Sequence, residues 1–148
     1  MRFTGKSVVI TGATGGLGRA AAQRFYDEGA NIALVDLQQK DIDALLQTFD
    51  ADSKRIIGIE ADVSKDTDVK NYVKETMATF GRIDTLFNNA GIEGSISSLE
   101  DYEEEIFDRV VQVNIKGVWL GMRYCADAMR KSGGGSIINT ASAAGLMA

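Results

Sequence analysis

The sequence predicts an α/β domain built on a doubly wound parallel sheet, and three observations carry that prediction. Short apolar runs rich in β-branched residues alternate with longer stretches of helical period. A glycine-rich turn joins the first apolar run to the first helical stretch. The chain has 148 residues, the size of one domain able to bury a real core. Such alternation gives parallel strands whose right-handed crossovers lay helices on both faces of the sheet.

The stretch from Val8 to Gly18 organises the rest. Its first half is apolar and β-branched, as a strand buried on both faces reads. Its second half places Gly12, Gly15, Gly16 and Gly18 where Leu17 opens a helix. A strand turning tightly into a helix leaves backbone N–H groups free at the helix N-terminus, and these with the helix dipole favour a phosphate. A Cβ there would hold a pyrophosphate off the backbone. A bare glycine run also fits an ordinary tight turn, but the strand before it and the helix after it favour a ligand. No Gly-Lys-Ser/Thr closes the run, which excludes a Walker-type loop, so the ligand that fits is a dinucleotide.

Leu17, Ala21 and Phe25 give the first helix an apolar face, and Gly29 stops it. A second strand, Asn31 to Asp36, ends in a carboxylate about 20 residues past the glycine loop, the offset of an acidic group that meets a ribose 2′-OH. Asp36 would accept from the ribose hydroxyls and repel a 2′-phosphate. The alternative is a helix N-cap or a solvated strand end. No arginine or lysine stands inside the loop or directly after Asp36, so the expected cofactor is NAD rather than NADP.

Ile42, Leu45, Leu46 and Phe49 mark a second helix, and Ile56 to Glu60 a third strand. Asp62 and Val63 follow at a carboxyl strand end, where ligands of open α/β sheets gather. Asp62 either accepts from an adenine amino group or begins the next helix with Ser64. Val69, Val73, Met77 and Phe80 mark the third helix, ended by Gly81, and Ile83 to Phe87 the fourth strand. Asn88-Asn89-Ala90-Gly91 comes next and either bridges loop backbones, lines the cofactor, or is a plain turn. A loop from Ile92 to Leu99 leads to a long helix, interrupted at Asn114, which is either a mild defect or a bend. Gly133-Gly134-Gly135 connects to a fifth strand, Ser136 to Thr140, and a closing stretch from Ala141 to Ala148.

Composition narrows the function. A net charge of −5 without any basic run argues against a nucleic-acid partner. A single cysteine, Cys125, cannot form an internal disulfide and is expected to pack as a small apolar residue. That usage, with no signal peptide and no run of membrane-spanning length, predicts a cytoplasmic protein with no membrane partner. With no histidine, no metal site is expected.

Together these segments resemble the short-chain dehydrogenase/reductase family across essentially the whole chain. Thr11-Gly12-Ala13-Thr14-Gly15-Gly16-Leu17-Gly18 is similar to its Thr-Gly-x-x-x-Gly-x-Gly cofactor loop, Asp36 to the acidic residue of NAD-preferring members, and Asp62-Val63 to the adenine-contacting pair. Asn88-Asn89-Ala90-Gly91 matches the stretch that steadies the sheet beside the cofactor. The resemblance makes the domain Rossmann-like and implies that Gly12, Thr14, Gly15, Gly16, Leu17, Gly18, Asp36, Asp62, Val63, Asn89, Ala90 and Gly91 hold the cofactor. It implies two catalytic positions, Ser142, which polarises a substrate carbonyl or alcohol, and Asn114, which orders a water for proton relay. The implied reaction is hydride transfer between NAD(H) and a secondary alcohol or ketone.

The family's Tyr-x-x-x-Lys pair would begin about a dozen residues after the serine, beyond Ala148, and none of Tyr26, Tyr72, Tyr102 and Tyr124 has a lysine four residues on. A phenol near pKa 10 needs such a cation to work as a base. The expectation is a sheet truncated after the fifth strand, with the substrate pocket and the Tyr-x-x-x-Lys absent from residues 1–148, which alone would not turn over. The parent is expected to be a homo-oligomer, and an exposed sheet edge would make the chain self-associate. Two other readings stand beside the enzyme: a non-catalytic NAD-binding module, and an interaction fragment.

Overall fold

The computed structural model describes residues 1–50 and 54–145; Leu146, Met147 and Ala148 of the closing stretch lie outside the described residues. The strands are β1 (Ser7–Thr11), β2 (Asn31–Asp36), β3 (Ile56–Glu60), β4 (Thr85–Asn88) and β5 (Ser136–Asn139), all parallel, in spatial order β3-β2-β1-β4-β5. The helices are α1 (Gly16–Asp27), α2 (Gln39–Leu46), α3 (Asp66–Phe80), α4 (Glu104–Val111) and α5 (Val118–Lys131).

Alternate residues of the buried strands supply the two faces of the sheet. Val8, Ile10, Ile32 and Leu34 pack with Ala22, Leu45 and Phe49 from the α1 and α2 side. Val9, Ala33, Val35 and Leu86 pack with Val69, Tyr72, Leu120 and Cys125 from α3 and α5. Cys125 is buried as expected, and burial pushes its thiol up to about 12, with the Tyr72 hydroxyl pulling weakly the other way. It is inert packing rather than a nucleophile.

Three local expectations need correction. Phe49 lies past the end of α2, yet it stays buried, because the turn after Leu46 folds it back onto the sheet. Leu17 is 65% exposed; Gly18 and Ala22 are the residues α1 buries, so the helix approaches the sheet through its smallest side chains. The fourth strand begins at Thr85, not Ile83, because Asp84 is drawn into a polar clamp at the strand's entry.

Asp84 ties the amino ends of β1 and β4 together. Its carboxylate accepts from the Ser7 N–H at 2.9 Å, from Arg82 Nε at 2.6 Å and from Lys6 Nζ at 3.0 Å, while its own N–H donates to the Ser7 carbonyl at 2.8 Å. Burial alone would raise its pKa. The donors from Arg82, Ser7 and Lys6 outweigh that and hold it at about 2, against an ordinary 3.8.

Candidate functional site

The strand order reverses between β1 and β4, so the loops leaving their carboxyl ends lie side by side and frame a crevice. Gly12, at φ +63°, is the point of closest approach: a Cβ there would meet Ala90 Cα at 2.9 Å. Gly18 is glycine for a different reason, since a Cβ would fall 2.2 Å from the Gly12 carbonyl oxygen. Gly15 and Gly16 have no such protein constraint, with open space around Gly16 and only the Gly12 oxygen, at 3.5 Å, near Gly15. The N–H groups of Gly16 and Leu17, at the start of α1, have no acceptor among the described residues. The combination is a cradle of free donors over bare backbone, the form an anion site takes.

Asp36, at the end of β2, fixes the other side of this loop. Its Oδ2 accepts from both the backbone N–H and the hydroxyl of Thr14, each at 2.8 Å, and its Oδ1 accepts from the Leu37 N–H at 2.8 Å. Arg19 Nε donates to the Thr14 carbonyl at 2.6 Å, so Thr14 is held from both directions.

On the β4 side, Thr11 Oγ1 accepts from the N–H groups of Asn89 and Ala90, at 2.9 and 3.0 Å. The Asn89 amide donates to the Thr11 and Gly12 carbonyls, and Thr140, just past β5, donates to its Oδ1 at 3.1 Å. Asn88 is buried and donates to the Val118 carbonyl and to Asn139 Oδ1. Asn89 therefore bridges the loop backbones, Asn88 ties β4 to α5 and β5, and Asn89, Ala90 and Gly91 also line the crevice.

Two cavities share that crevice. One, of about 610 Å³, lies over the glycine loop and is lined by Thr14, Gly15, Gly16, Leu17 and Asn89 among others. The other, of about 390 Å³, is lined by Leu37, Asp62, Val63, Ile92 and Val113 among others; Gly12, Asp36, Ala90 and Gly91 border both. Asp62 lines this cavity and also turns the chain toward α3, as its reading as the start of the next helix with Ser64 expects. Its Oδ1 accepts from the Ser64 N–H at 3.0 Å and the Ser64 hydroxyl at 2.6 Å. Burial pulls its pKa up, but the Ser64 bonds and the Lys65 charge bring it below the ordinary value, so it is an anion.

Asn114 sits inside a π-helical turn, Gln112–Gly117, that joins α4 to α5 and accounts for the expected interruption. Its Oδ1 accepts from the Ile92 N–H and its Nδ2 donates to the Ile92 carbonyl, both at 2.9 Å. That pair locks the bent helix to the loop after β4, next to Gly91. Ser142 is exposed two residues beyond Thr140, and its carbonyl accepts from the Gly145 N–H. Neither Asn114 nor Ser142 lines either cavity.

A family model described as short chain dehydrogenase matches residues 6–148. The chain belongs to that family. Levodione reductase of Leifsonia aquatica is 43% identical over 149 residues, covering 98% of this chain and 55% of the relative. An uncharacterized oxidoreductase of Thermotoga maritima is 41% identical, covering 99% of this chain and 57% of the relative. Among solved structures, levodione reductase matches with a TM-score of 0.90 at 42% identity over 98% of this chain and 57% of that one. NAD+-bound xylitol dehydrogenase matches at 0.93 and 33% identity, over 99% and 56%. The chain thus spans little more than half the length of these short-chain dehydrogenases.

Two further residues shape the site without belonging to a recognisable motif, Arg19 and Thr140. Arg19, which holds the Thr14 carbonyl, lies just outside the glycine motif; its signal was a cation one residue past Gly18. Thr140 lies one residue past β5, and its only sequence signal is a hydroxyl at a carboxyl strand end that can donate to the asparagine loop beside it.

Proposed function

We propose that this chain is the cofactor-binding part of an oxidoreductase that transfers a hydride between NAD(H) and a secondary alcohol or ketone. The observation that carries the reading is the cradle at Gly16 and Leu17, whose N–H groups have no acceptor among the described residues and stand beside the open space over Gly16. Among similar solved structures, xylitol dehydrogenase is bound to NAD+ and a 3-ketoacyl-(acyl-carrier-protein) reductase of Brucella melitensis is complexed with NADH, which supports the same ligand here. When bound, the nicotinamide supplies or accepts the hydride.

This chain's own residues bind and orient. Gly15, Gly16 and Leu17 hold the pyrophosphate at the start of α1, with Gly12 and Gly18 permitting the close packing beneath. Asp36 reads the ribose: a carboxylate has about four acceptor positions, and Thr14 and Leu37 fill three of them. One remains for a ribose hydroxyl, and the charge opposes a 2′-phosphate. Val63 lines the base cavity, with Asp62 as acceptor for the base amino group. Asn89, Ala90 and Gly91 form the floor. Ser142 is assigned to polarise the substrate oxygen. The Asn114 amide, bound to Ile92 on both atoms, keeps one lone pair and one N–H for a water.

Comparing the affinities of NADH and NADPH by nicotinamide fluorescence tests the reading. NADH is expected to bind at least tenfold more tightly, a difference of about 1.4 kcal/mol, and Asp36→Ala should narrow the gap. Tighter binding of NADPH would overturn it. The reading also has copies of the protein associate, supported by the exposed Phe107, Ile115 and Trp119 on α4, the π-turn and α5.

A further inference from the structure

Packing does not fix the turn at the centre of the cradle. A Cβ on Gly16 would meet nothing within 4 Å, and one on Gly15 only the Gly12 carbonyl oxygen at 3.5 Å. Glycine also has more backbone freedom to lose than any other residue. Hydrogen bonds must therefore hold this segment in shape. The Gly15 N–H donates to the Gly12 carbonyl at 3.3 Å, a long bond for an amide donor. The carbonyls on the other side are held more closely, and by one residue. Arg19 gives its backbone N–H to the Gly15 carbonyl at 2.9 Å and its Nε to the Thr14 carbonyl at 2.6 Å.

Those two carbonyls belong to consecutive peptide planes, and across a trans peptide the C=O and N–H point opposite ways. Drawing the Gly15 carbonyl into the first turn of α1 turns the Gly16 N–H outward. Drawing the Thr14 carbonyl the same way keeps the Gly15 N–H over Gly12. Any residue at position 19 would supply the first bond, because its donor is main chain. The second needs a side chain with a donor at the right reach. Thr14 in turn gives its N–H and its hydroxyl to Asp36 Oδ2, each at 2.8 Å. A run of bonds thus leads from the exposed Arg19 through the loop to the carboxylate at the end of β2. Arg19 borders neither cavity, so it acts through Thr14.

We infer that Arg19 is a positioning residue, whose Nε sets the shape of the glycine turn before a ligand arrives and keeps the phosphate donors and the Asp36 acceptor in register. The inference rests on the dinucleotide reading and adds to it the residue that organises the turn in advance. Binding then does not have to freeze a turn of four glycines.

The test compares the unsubstituted protein with R19A, R19Q and the distant surface control K74A. A glutamine amide nitrogen stands as many bonds from the backbone as the arginine Nε, so Arg19→Gln keeps the donor and removes the charge. NADH binding, followed by nicotinamide fluorescence, should weaken about tenfold in R19A, the size of one charge-assisted hydrogen bond. Most of that loss should return in R19Q, and K74A should bind as the unsubstituted protein does. In the ligand-free protein, the Thr14 and Gly15 amide hydrogens should exchange faster in R19A and not in R19Q. NADH binding by R19A equal to that of the unsubstituted protein would overturn this inference alone. So would R19Q binding as weakly as R19A, since charge rather than position would then be what matters. No NADH binding by the unsubstituted protein would instead overturn the dinucleotide reading. The exchange rates would then decide this inference by themselves: unchanged rates in R19A overturn it, and faster rates restored by R19Q support the hold of Arg19 on the turn.

Discussion

β1 and β5 are strands of the same parallel sheet, and both have an apolar centre, Val8-Val9-Ile10 in one and Ile137-Ile138 in the other. Every residue of β1 is buried, whereas β5 has Ile137 half-buried and the rest exposed. Composition does not explain the difference. β1 has β2 and β4 on its two edges and helices on both faces, while β5 has β4 on one edge and no strand beyond it among the described residues. Position in the topology decides burial, and the glycine loop grows from the best-supported strand. The crevice opens beside the most fully buried strand of the sheet.

Truncating a central side chain breaks that comparison most strongly. Ile10 is fully buried, and Ile10→Ala is expected to lower unfolding stability by about 3–4 kcal/mol in urea titration, from lost burial and the cavity left behind. A loss below about 1 kcal/mol would show that the sheet centre is not closely packed.

The Asp84 clamp gives the next effect. Its folded pKa of about 2 lies below the ordinary 3.8, so its contribution is present above the unfolded value and is lost as pH falls from about 4 through about 2. That contribution is about 2 kcal/mol. Stability curves measured across this window should fall for the unsubstituted chain and fall less steeply for Asp84→Asn. Parallel curves would place the acid sensitivity elsewhere.

On the open side, Ile138 is 45% exposed, and Ile138→Thr should change stability by no more than about 0.5 kcal/mol. The same substitution should reduce self-association in sedimentation velocity, by making the uncovered edge strand more polar. A loss comparable to that of Ile10→Ala would show that β5 is covered in solution.

The sheet was legible in the sequence because a parallel strand buried on both faces needs unbroken apolar runs, and Val8-Val9-Ile10 and Ile32-Ala33-Leu34-Val35 are such runs. The carboxyl-end residues were legible for the same reason, since each follows a strand directly. Helix ends were less so: periodicity reports which side chains turn inward, and Phe49 turns inward without being helical. Asp84 was missed because its partners come from three places, Lys6, Ser7 and Arg82, and no local pattern joins them. A carboxylate inside an apolar run was the available signal, since a buried charge needs a partner. The Ile92 partner of Asn114 could not be read at all, because it is 22 residues away and offers only main-chain atoms.

The π-turn from Gln112 to Gly117 also fixes the phase of the rod that contains it. One additional residue in a turn rotates everything downstream by about 100° relative to an uninterrupted α-helix. Arg109 can thereby face the crevice while Leu120, Cys125 and Met129 face the sheet. Deleting a single residue from this segment would regularise the hydrogen bonding and turn one of those faces away from its target. Length variation among natural or engineered versions of this chain should therefore collect in the loop from Glu93 to Leu99 and spare the six residues of the turn.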